Sequence, residues 1–389
     1  MLLITCPPWL AQICKKELAY LDHKSQVYGP ATLFVEEKDE SDIAKLNIWL
    51  RTANKISLIV DSRQTETFDE LFDFVYEQPW DKIISADQVV LVEWSTYQSQ
   101  LASLPAIQKI VKKAITKKLM NGTDAQWTED KSKGIIYISV MLHQNKAILS
   151  LNSSGDSLHR RGYRISTGDA PIKETIAAGL VISSGWKFHE LFLDPCCGSG
   201  TIAIEAAMIA KNIAPGLHRK FAFEDRSRYK PSYLVDAKAT AKWVQVHKSH
   251  TIIASDIDPE MIEKAKNNAK KVGLTDDAIQ WSVKPCQDYM IELEPIARHN
   301  EAWDNTLSDT VTVTGAMVAN PPYGIRMTPW DIDEIHSTLF ALAEKHDLSG
   351  GIVTAYTDAD RCCTHPDRRT TMIIKNGAED TTFWKKKEK

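Results

Sequence analysis

The sequence predicts an α/β chain, with an α+β N-terminal part followed by a larger domain on a mostly parallel sheet. Three observations predict it. Short strands and helices interleave over residues 1–155, whereas from Ile172 onward apolar strands alternate with longer helices. The apolar strand Leu191–Leu193 runs into a Gly-rich turn that opens a helix. Asn376-Gly377, between two strand-like runs, is a hairpin-turn signal and adds an antiparallel pair at the end of the sheet.

Taken in order, Leu2–Thr5 reads as a strand. Trp9–Leu21 has helical spacing, with Leu10, Ile13, Cys14, Leu18 and Leu21 on one side. Ala31–Glu36 is a strand after the Gly29-Pro30 turn, Asp42–Arg51 a helix and Ile56–Asp61 a strand. Phe68–Tyr76 is a short amphipathic helix and Gln88–Glu93 a strand. In Ile107–Leu119 the residues Ile107, Ile110, Val111, Ala114, Ile115 and Leu119 form one apolar stripe. Lys109, Lys112, Lys113, Lys117 and Lys118 occupy much of the remainder. Strands Ile135–Leu142 and Lys146–Asn152 follow. The later domain reads as helix Lys173–Ser184, strand Leu191–Leu193, helix Thr201–Ala210, strand Thr251–Ser255, helix Pro259–Val272 and strand Ala278–Val283. Strand Val311–Val318, helix Ile332–Glu344, strand Gly351–Ala355 and the pair Thr370–Lys375 and Glu379–Trp384 complete it. The expected organisation is an N-terminal α/β unit over 1–62, a second over 63–155, a linker over 156–170 and the parallel-sheet domain over 171–389.

The 389 residues carry 47 Lys+Arg and 51 Asp+Glu, net −4, which argues against a histone-like binder. The distribution says more than the total. Residues 1–100 hold 9 basic and 16 acidic side chains, residues 101–165 hold 11 and 4, and residues 166–389 hold 27 and 31. Seven cysteines without Cys-x-x-Cys spacing point away from zinc ribbons and a disulfide scaffold, and free thiols suit a reducing cytoplasm. Neither a signal peptide nor a transmembrane span is expected, and no metal site.

Three motifs carry chemistry. Asp194-Pro195-Cys196-Cys197-Gly198-Ser199-Gly200-Thr201 follows an apolar strand and opens a helix. Glycines let a ligand approach the backbone, and the helix N-terminus offers free N–H groups. Gly-Lys-Ser/Thr and a third dinucleotide glycine are both missing, so this is neither a Walker loop nor a dinucleotide fingerprint. Asp256, ending the next strand in Ser255-Asp256-Ile257-Asp258-Pro259, can accept hydrogen bonds from ribose hydroxyls. Asp258 reads as a helix N-cap with Pro259 at the first helical position. Asp288, after the third strand, is placed to meet an adenine amino group. In Asn320-Pro321-Pro322-Tyr323, the Asn320 amide oxygen and a proline carbonyl can accept from one exocyclic –NH₂. Two acceptors would orient that poorly nucleophilic nitrogen and favour its tetrahedral form, and the Tyr323 ring can stack on a base.

Together these motifs resemble class I S-adenosylmethionine-dependent methyltransferases acting on an exocyclic amine. The run Asp194–Gly216, Asn320-Pro-Pro-Tyr-Gly-Ile-Arg326 and Ser154-Gly-Asp-Ser-Leu-His-Arg-Arg-Gly-Tyr-Arg164 resemble the THUMP-domain RNA guanine-N2-methyltransferases. The bacterial 23S rRNA type in its stand-alone form is the most similar branch, and Asn47–Arg51 and Thr67–Phe72 resemble its N-terminal half. The resemblance implies a ferredoxin-like unit, a THUMP RNA-binding domain and a Rossmann-like catalytic domain. It implies that S-adenosylmethionine lies against Asp194, Gly198, Ser199, Gly200, Asp256 and Asp288. Asn320, Pro321, Pro322 and Tyr323 would hold the guanine. The irregular stretch Glu292–Asp309 departs from the pattern.

RNA contact is expected from Lys112, Lys113 and Lys117 and from Arg160, Arg161 and Arg164. The expected reaction moves a methyl group to guanine N2 in rRNA or tRNA in the cytoplasm, with any helical target base extruded. Adenine N6, cytosine N4 or a glutamine amide are alternative acceptors, separable by nucleoside analysis. A non-catalytic RNA-binding or assembly factor is the alternative from another class. Oligomeric state and target nucleotide stay open.

Overall fold

A computed structural model describes residues 1–85, 87–120, 127–164, 172–226, 229–290, 293, 313–321, 329–346, 348–355, 368–376 and 379–386. The chain forms two compact units, Met1–Leu158 with Arg219–Thr240, and His159–His218 with Ala241–Lys389. Among the described residues no helix is long and apolar enough to cross a membrane.

The first unit is built from β1 (Leu2–Thr5), α1 (Ala11–Tyr20), β2 (Ser25–Gly29), β3 (Thr32–Val35), α2 (Ser41–Trp49), β4 (Lys55–Gln64), α3 (Phe68–Tyr76), β5 (Val89–Tyr97), α4 (Leu104–Leu119), β6 (Ile135–His143) and β7 (Lys146–Asn152). One sheet of order β2-β3-β1-β4-β7-β6-β5 runs through it. The expected boundary at 62/63 falls inside β4. That strand pairs with β1 at Leu2↔Leu58 and with β7 from Ser57↔Asn152 to Gln64↔Lys146. The two small modules expected from the sequence therefore share a sheet. β2 was not expected: it is an edge strand with no buried residue, so its side chains show no alternation to read.

β5 and β6 are parallel, which requires a crossover, and α4 supplies it. The α4 stripe Ile107, Val111, Ala114 and Ile115 is fully buried against Ile138 and Val140 of β6 and Leu71 and Phe74 of α3. α3 starts with a reciprocal cap in which Thr67 accepts from the Glu70 N–H and Glu70 accepts from the Thr67 N–H.

Residues beginning at Arg219 complete this unit from far along the chain. The Arg219 guanidinium donates to the carbonyls of Ser157 at 3.0 Å and Ser154 at 3.3 Å, and also to that of Asp156. Asp225 Oδ2 accepts from the Ile135 N–H at 3.1 Å, and its carbonyl accepts from Gln88 Nε2 at 2.9 Å.

The second unit contains α5 (Glu174–Ser183), β8 (Leu191–Asp194), α6 (Thr201–Ala210), the end of α7 (Pro231–Trp243), β9 (Ile252–Asp256), α8 (Pro259–Lys271), β10 (Gln280–Val283), β11 (Gly315–Ala319), α9 (Pro329–Lys345), β12 (Leu348–Ala355), β13 (Arg368–Asn376) and β14 (Glu379–Lys386). Its sheet order is β10-β9-β8-β11-β12-β14-β13. β10 through β12 are parallel, and β14 runs antiparallel between β12 and β13, as the terminal hairpin signal predicts. Every residue of β8 and β11 is buried, the pattern of central parallel strands covered on both faces. α7 is a helix the sequence pattern did not reveal, because its small, charged and apolar residues share no clear stripe.

Arg219→Ala leaves carbonyls of the first unit short of donors and should lower stability by on the order of 3 kcal/mol. Urea denaturation measures this. Arg219→Lys should restore only part, since an ammonium lacks the guanidinium fork.

Candidate functional site

Strand order reverses between β8 and β11, with β9 and β10 on one side and β12 on the other. Ligands of such sheets bind beyond the carboxyl ends of the strands at this point. Asp194, Asp256 and Asn320 stand at the ends of β8, β9 and β11, and Asp288 follows β10. By register, Asp256 and Asn320 each stand two residues beyond the level of Asp194, since Asp194 faces Ala254 and Met317 faces Leu193.

The loop after β8 is held from several sides. Cys197 N–H donates to the Ser255 carbonyl at 2.9 Å, and Gly198 N–H donates to Asp256 Oδ2 at 2.8 Å. Asn268 Nδ2 donates to the Ser199 carbonyl at 3.1 Å. Gly198 and Gly200 have φ of +51° and +83°, conformations that favour glycine. The two glycines do different work. A Cβ at Gly198 would meet nothing within 4 Å, so that side of the loop is open. A Cβ at Gly200 would lie 2.8 Å from both Ala265 and Trp281, so Gly200 lets α8 and β10 close on the loop. The expectation that both glycines serve ligand approach is thus corrected for Gly200.

Asp194 is 0% exposed. Its Oδ2 accepts from the Ala203 N–H at 3.3 Å, in the first turn of α6, and its Oδ1 meets no donor among the described residues. Burial pushes this carboxyl up to about 8; the Ala203 hydrogen bond opposes the shift and the charge of Asp256 adds to it. Asp256 Oδ1 accepts from the Asp258 N–H at 3.0 Å. Asp258 caps α8 through the Glu260 N–H at 2.8 Å, with Pro259 first in the helix, as expected.

Asp288 is exposed, in the turn Cys286–Asp288. Contact with the Cys286 thiol, together with burial, pushes the Cys196 thiol well above its usual range. Burial does the same to Cys197. A thiol raised in this way is a poor nucleophile.

Asn320 is half-buried, and its Oδ1 is buried without a donor among the described residues. Pro321 beside it is buried. Pro322 and Tyr323 lie outside the described residues.

The expected RNA-contacting residues divide. Arg161 is 3% exposed, with Nε 3.4 Å from Glu205 Oε1, an oxygen that also accepts from the Tyr163 hydroxyl at 3.4 Å. Arg164 Nε lies 3.2 Å from Glu174 Oε1, and its Nη2 donates to Thr201 Oγ1 at 3.1 Å. These two arginines hold the second unit's interior and the start of α6, which corrects the expectation that they meet phosphates. Arg160 is exposed. On α4, Lys112 is paired with Glu129 at 2.9 Å and Lys118 sits 5.2 Å from the centre of the Tyr76 ring. Lys109, Lys113 and Lys117 are exposed. Asn268 and Thr201 were missed as loop supports. A signal for Asn268 exists: asparagine is a poor residue for a helix interior, and this one is buried.

Set beside known proteins, residues 161–371 match the family described as an RMKL-like methyltransferase domain, and residues 65–152 match the THUMP domain. YpsC of Bacillus subtilis, named as a candidate RNA methyltransferase, is 38% identical over 335 residues, covering 84% of this chain and 80% of that one. The ribosomal RNA large subunit methyltransferase K/L of Pseudomonas putida F1 is 31% identical over 341 residues, covering 84% of this chain and 43% of the enzyme. The chain thus spans less than half the length of the K/L enzyme. The solved structure of SMU.472, a candidate methyltransferase complexed with SAH, has a TM-score of 0.81 at 29% identity, covering 100% of this chain and 98% of that one.

Asp194 makes stability depend on pH. Its folded-state value, about 8, exceeds the ordinary 3.8, so the folded chain holds the extra proton between them. The stabilisation is full below about pH 4 and is lost as pH rises through about 8, at about 1.4 kcal/mol per unit. Asp194→Asn should remove this component. Thermal melts of the ligand-free protein from acid to mildly alkaline pH test it, and a variant profile parallel to the parent's would refute it.

Proposed function

We propose that this chain, which belongs to the RMKL-like methyltransferase family and carries a THUMP domain, methylates the exocyclic N2 amine of a guanine in RNA, with S-adenosylmethionine as donor and large-subunit ribosomal RNA as substrate. The observation that carries the reading is the buried Asn320 Oδ1, which has no donor among the described residues, beside buried Pro321 at the end of β11. A buried acceptor without a donor is costly, and an incoming –NH₂ group relieves that cost.

The residues at the strand ends fit the donor. Asp194 offers a carboxyl oxygen with no donor among the described residues, Asp256 keeps lone pairs beyond the two it uses, and the loop is open at Gly198. Asp194, Gly198, Ser199, Gly200, Asp256 and Asp288 would hold the cofactor, with Gly200 acting through packing. S-adenosylmethionine, when bound, supplies an electrophilic methyl group on a sulfonium centre.

The chain's own work is positioning. Asn320 Oδ1 and the Pro321 carbonyl accept the two N2 hydrogens and turn the nitrogen lone pair out of the ring system. Proline has no N–H to compete for those acceptors. Holding N2 in line is the main source of acceleration. The proton released from N2 goes to water, so no side-chain base is required. Tyr323, by its place in the motif, stacks on the extruded base. Lys109, Lys113, Lys117 and Arg160, exposed and basic, dock phosphates.

Nucleoside mass spectrometry of RNA treated with the chain and S-adenosylmethionine should show new N2-methylguanosine. Its absence, or N6-methyladenosine instead, overturns the acceptor. Asn320→Ala should lower kcat by about 100-fold while calorimetry shows unchanged cofactor binding. Lys113→Ala with Lys117→Ala should weaken RNA binding alike across sequences and reduce the salt slope by about 2.

A further inference from the structure

The residues that lead into β8 and β9 lie at the opposite ends of those strands from the catalytic loops. Residues 187–190 precede β8 and residues 241–250 precede β9, and the two segments meet where the His250 ring lies against Phe188. Two large aromatics stand in solvent here: Trp243 is 88% exposed and Phe188 45%. Val244 and Val246 are exposed beside them.

This apolar surface is set in positive charge. Lys187, Lys242 and Lys248 are exposed, as are His189 and His247. The one carboxylate in the two segments, Glu190, is paired with Lys187 at 3.6 Å. The loop is also held in place. Val246 N–H donates to the Lys211 carbonyl at 2.8 Å, Asn212 Nδ2 donates to the Val244 carbonyl at 3.1 Å, and His250 Nδ1 sits 2.8 Å from the Phe188 carbonyl. The Phe188 ring meets the His250 ring edge-on at 6.1 Å. Exposed single apolar residues are ordinary, but two exposed aromatics and two exposed valines on segments rich in lysine and histidine are not.

We infer that this rim is a second RNA-contacting surface, in which Trp243 and Phe188 stack on unpaired bases while Lys242 and Lys248 neutralise the adjoining phosphates. Aromatic faces with positive charge between them are the means by which single strands are held without sequence choice. A protein or anionic-membrane partner would use the apolar residues too, but the charge favours a polyanion and the ring faces favour bases. The inference rests on the RNA reading above and adds a substrate contact remote from the catalytic pocket. Because the rim is at the far ends of the strands, it governs affinity and leaves the chemical step untouched.

The test uses the full chain with a labelled short oligouridine. Trp243→Ala should weaken binding by about 5- to 100-fold, and Trp243→Phe should retain most of the affinity. Lys242→Ala with Lys248→Ala should lower the salt slope by about 1.4. With methyl-accepting RNA, Trp243→Ala should raise KM and leave kcat unchanged. If oligouridine binding depends on Trp243 but no RNA gains a methyl group, the surface stands and the methyltransferase reading falls. If RNA is methylated while Trp243→Ala and the lysine pair change neither affinity nor KM, the surface falls and that reading stands. Trp243→Ala that leaves RNA binding intact but splits a dimer in light scattering, or abolishes binding to anionic phospholipid vesicles, also overturns it.

Discussion

The hydrogen bond from the Gly198 N–H to Asp256 Oδ2, 2.8 Å long, ties the end of one strand to the turn that follows its neighbour. The rest of the site depends on that tie. It sets the path of the loop from Asp194 to Gly200, and through Gly200 the approach of α8 and Trp281. It also uses one oxygen of Asp256 while the other receives the Asp258 N–H, so one carboxylate braces both the loop and the entry to the next helix. The parallel sheet brings the ends of β8, β9 and β11 to within two residues of a common level. A backbone N–H and a carboxylate far apart in sequence can then meet without strain elsewhere.

Much of this was legible in the sequence, for physical reasons. The α4 stripe, the apolar runs of β8 and β9, the Asp258 cap and the turn after β8 are all short-range patterns. What the pattern hides is long-range pairing. Nothing in residues 55–64 announces that one strand serves two modules. β2 buries no side chain, and α7 has no apolar stripe. Arg161 and Arg164 looked like a basic surface because charge is visible in a sequence and burial is not; their partners Glu205 and Glu174 lie well downstream. Gly200 was read as ligand space for the same reason, since Ala265 and Trp281 come later in the chain.

Charge, too, changes meaning with placement. The basic excess of residues 101–165 shrinks when Lys112, Arg161 and Arg164 are seen to be paired, while Lys109, Lys113 and Lys117 of α4 stay exposed, as do Lys131, Lys133 and Lys146. Meanwhile the stretch 166–389, acidic on balance, contains a run from Ala237 to His250 without a single carboxylate. Net charge by segment is thus a coarse guide to which surface faces a polyanion.

The first unit is discontinuous along the chain, and this orders events during synthesis. When residue 158 has left the ribosome, the segment Arg219–Thr240 does not yet exist. At about 5–20 residues per second, Arg219 follows about 3–12 s later. Until then the N–H of Ile135 and the carbonyls of Ser154, Asp156 and Ser157 must find water in place of the Asp225 and Arg219 side chains. α5, β8 and α6 are made during this interval, so the second unit begins to be laid down before the first is complete. The two are interleaved in time as well as in sequence.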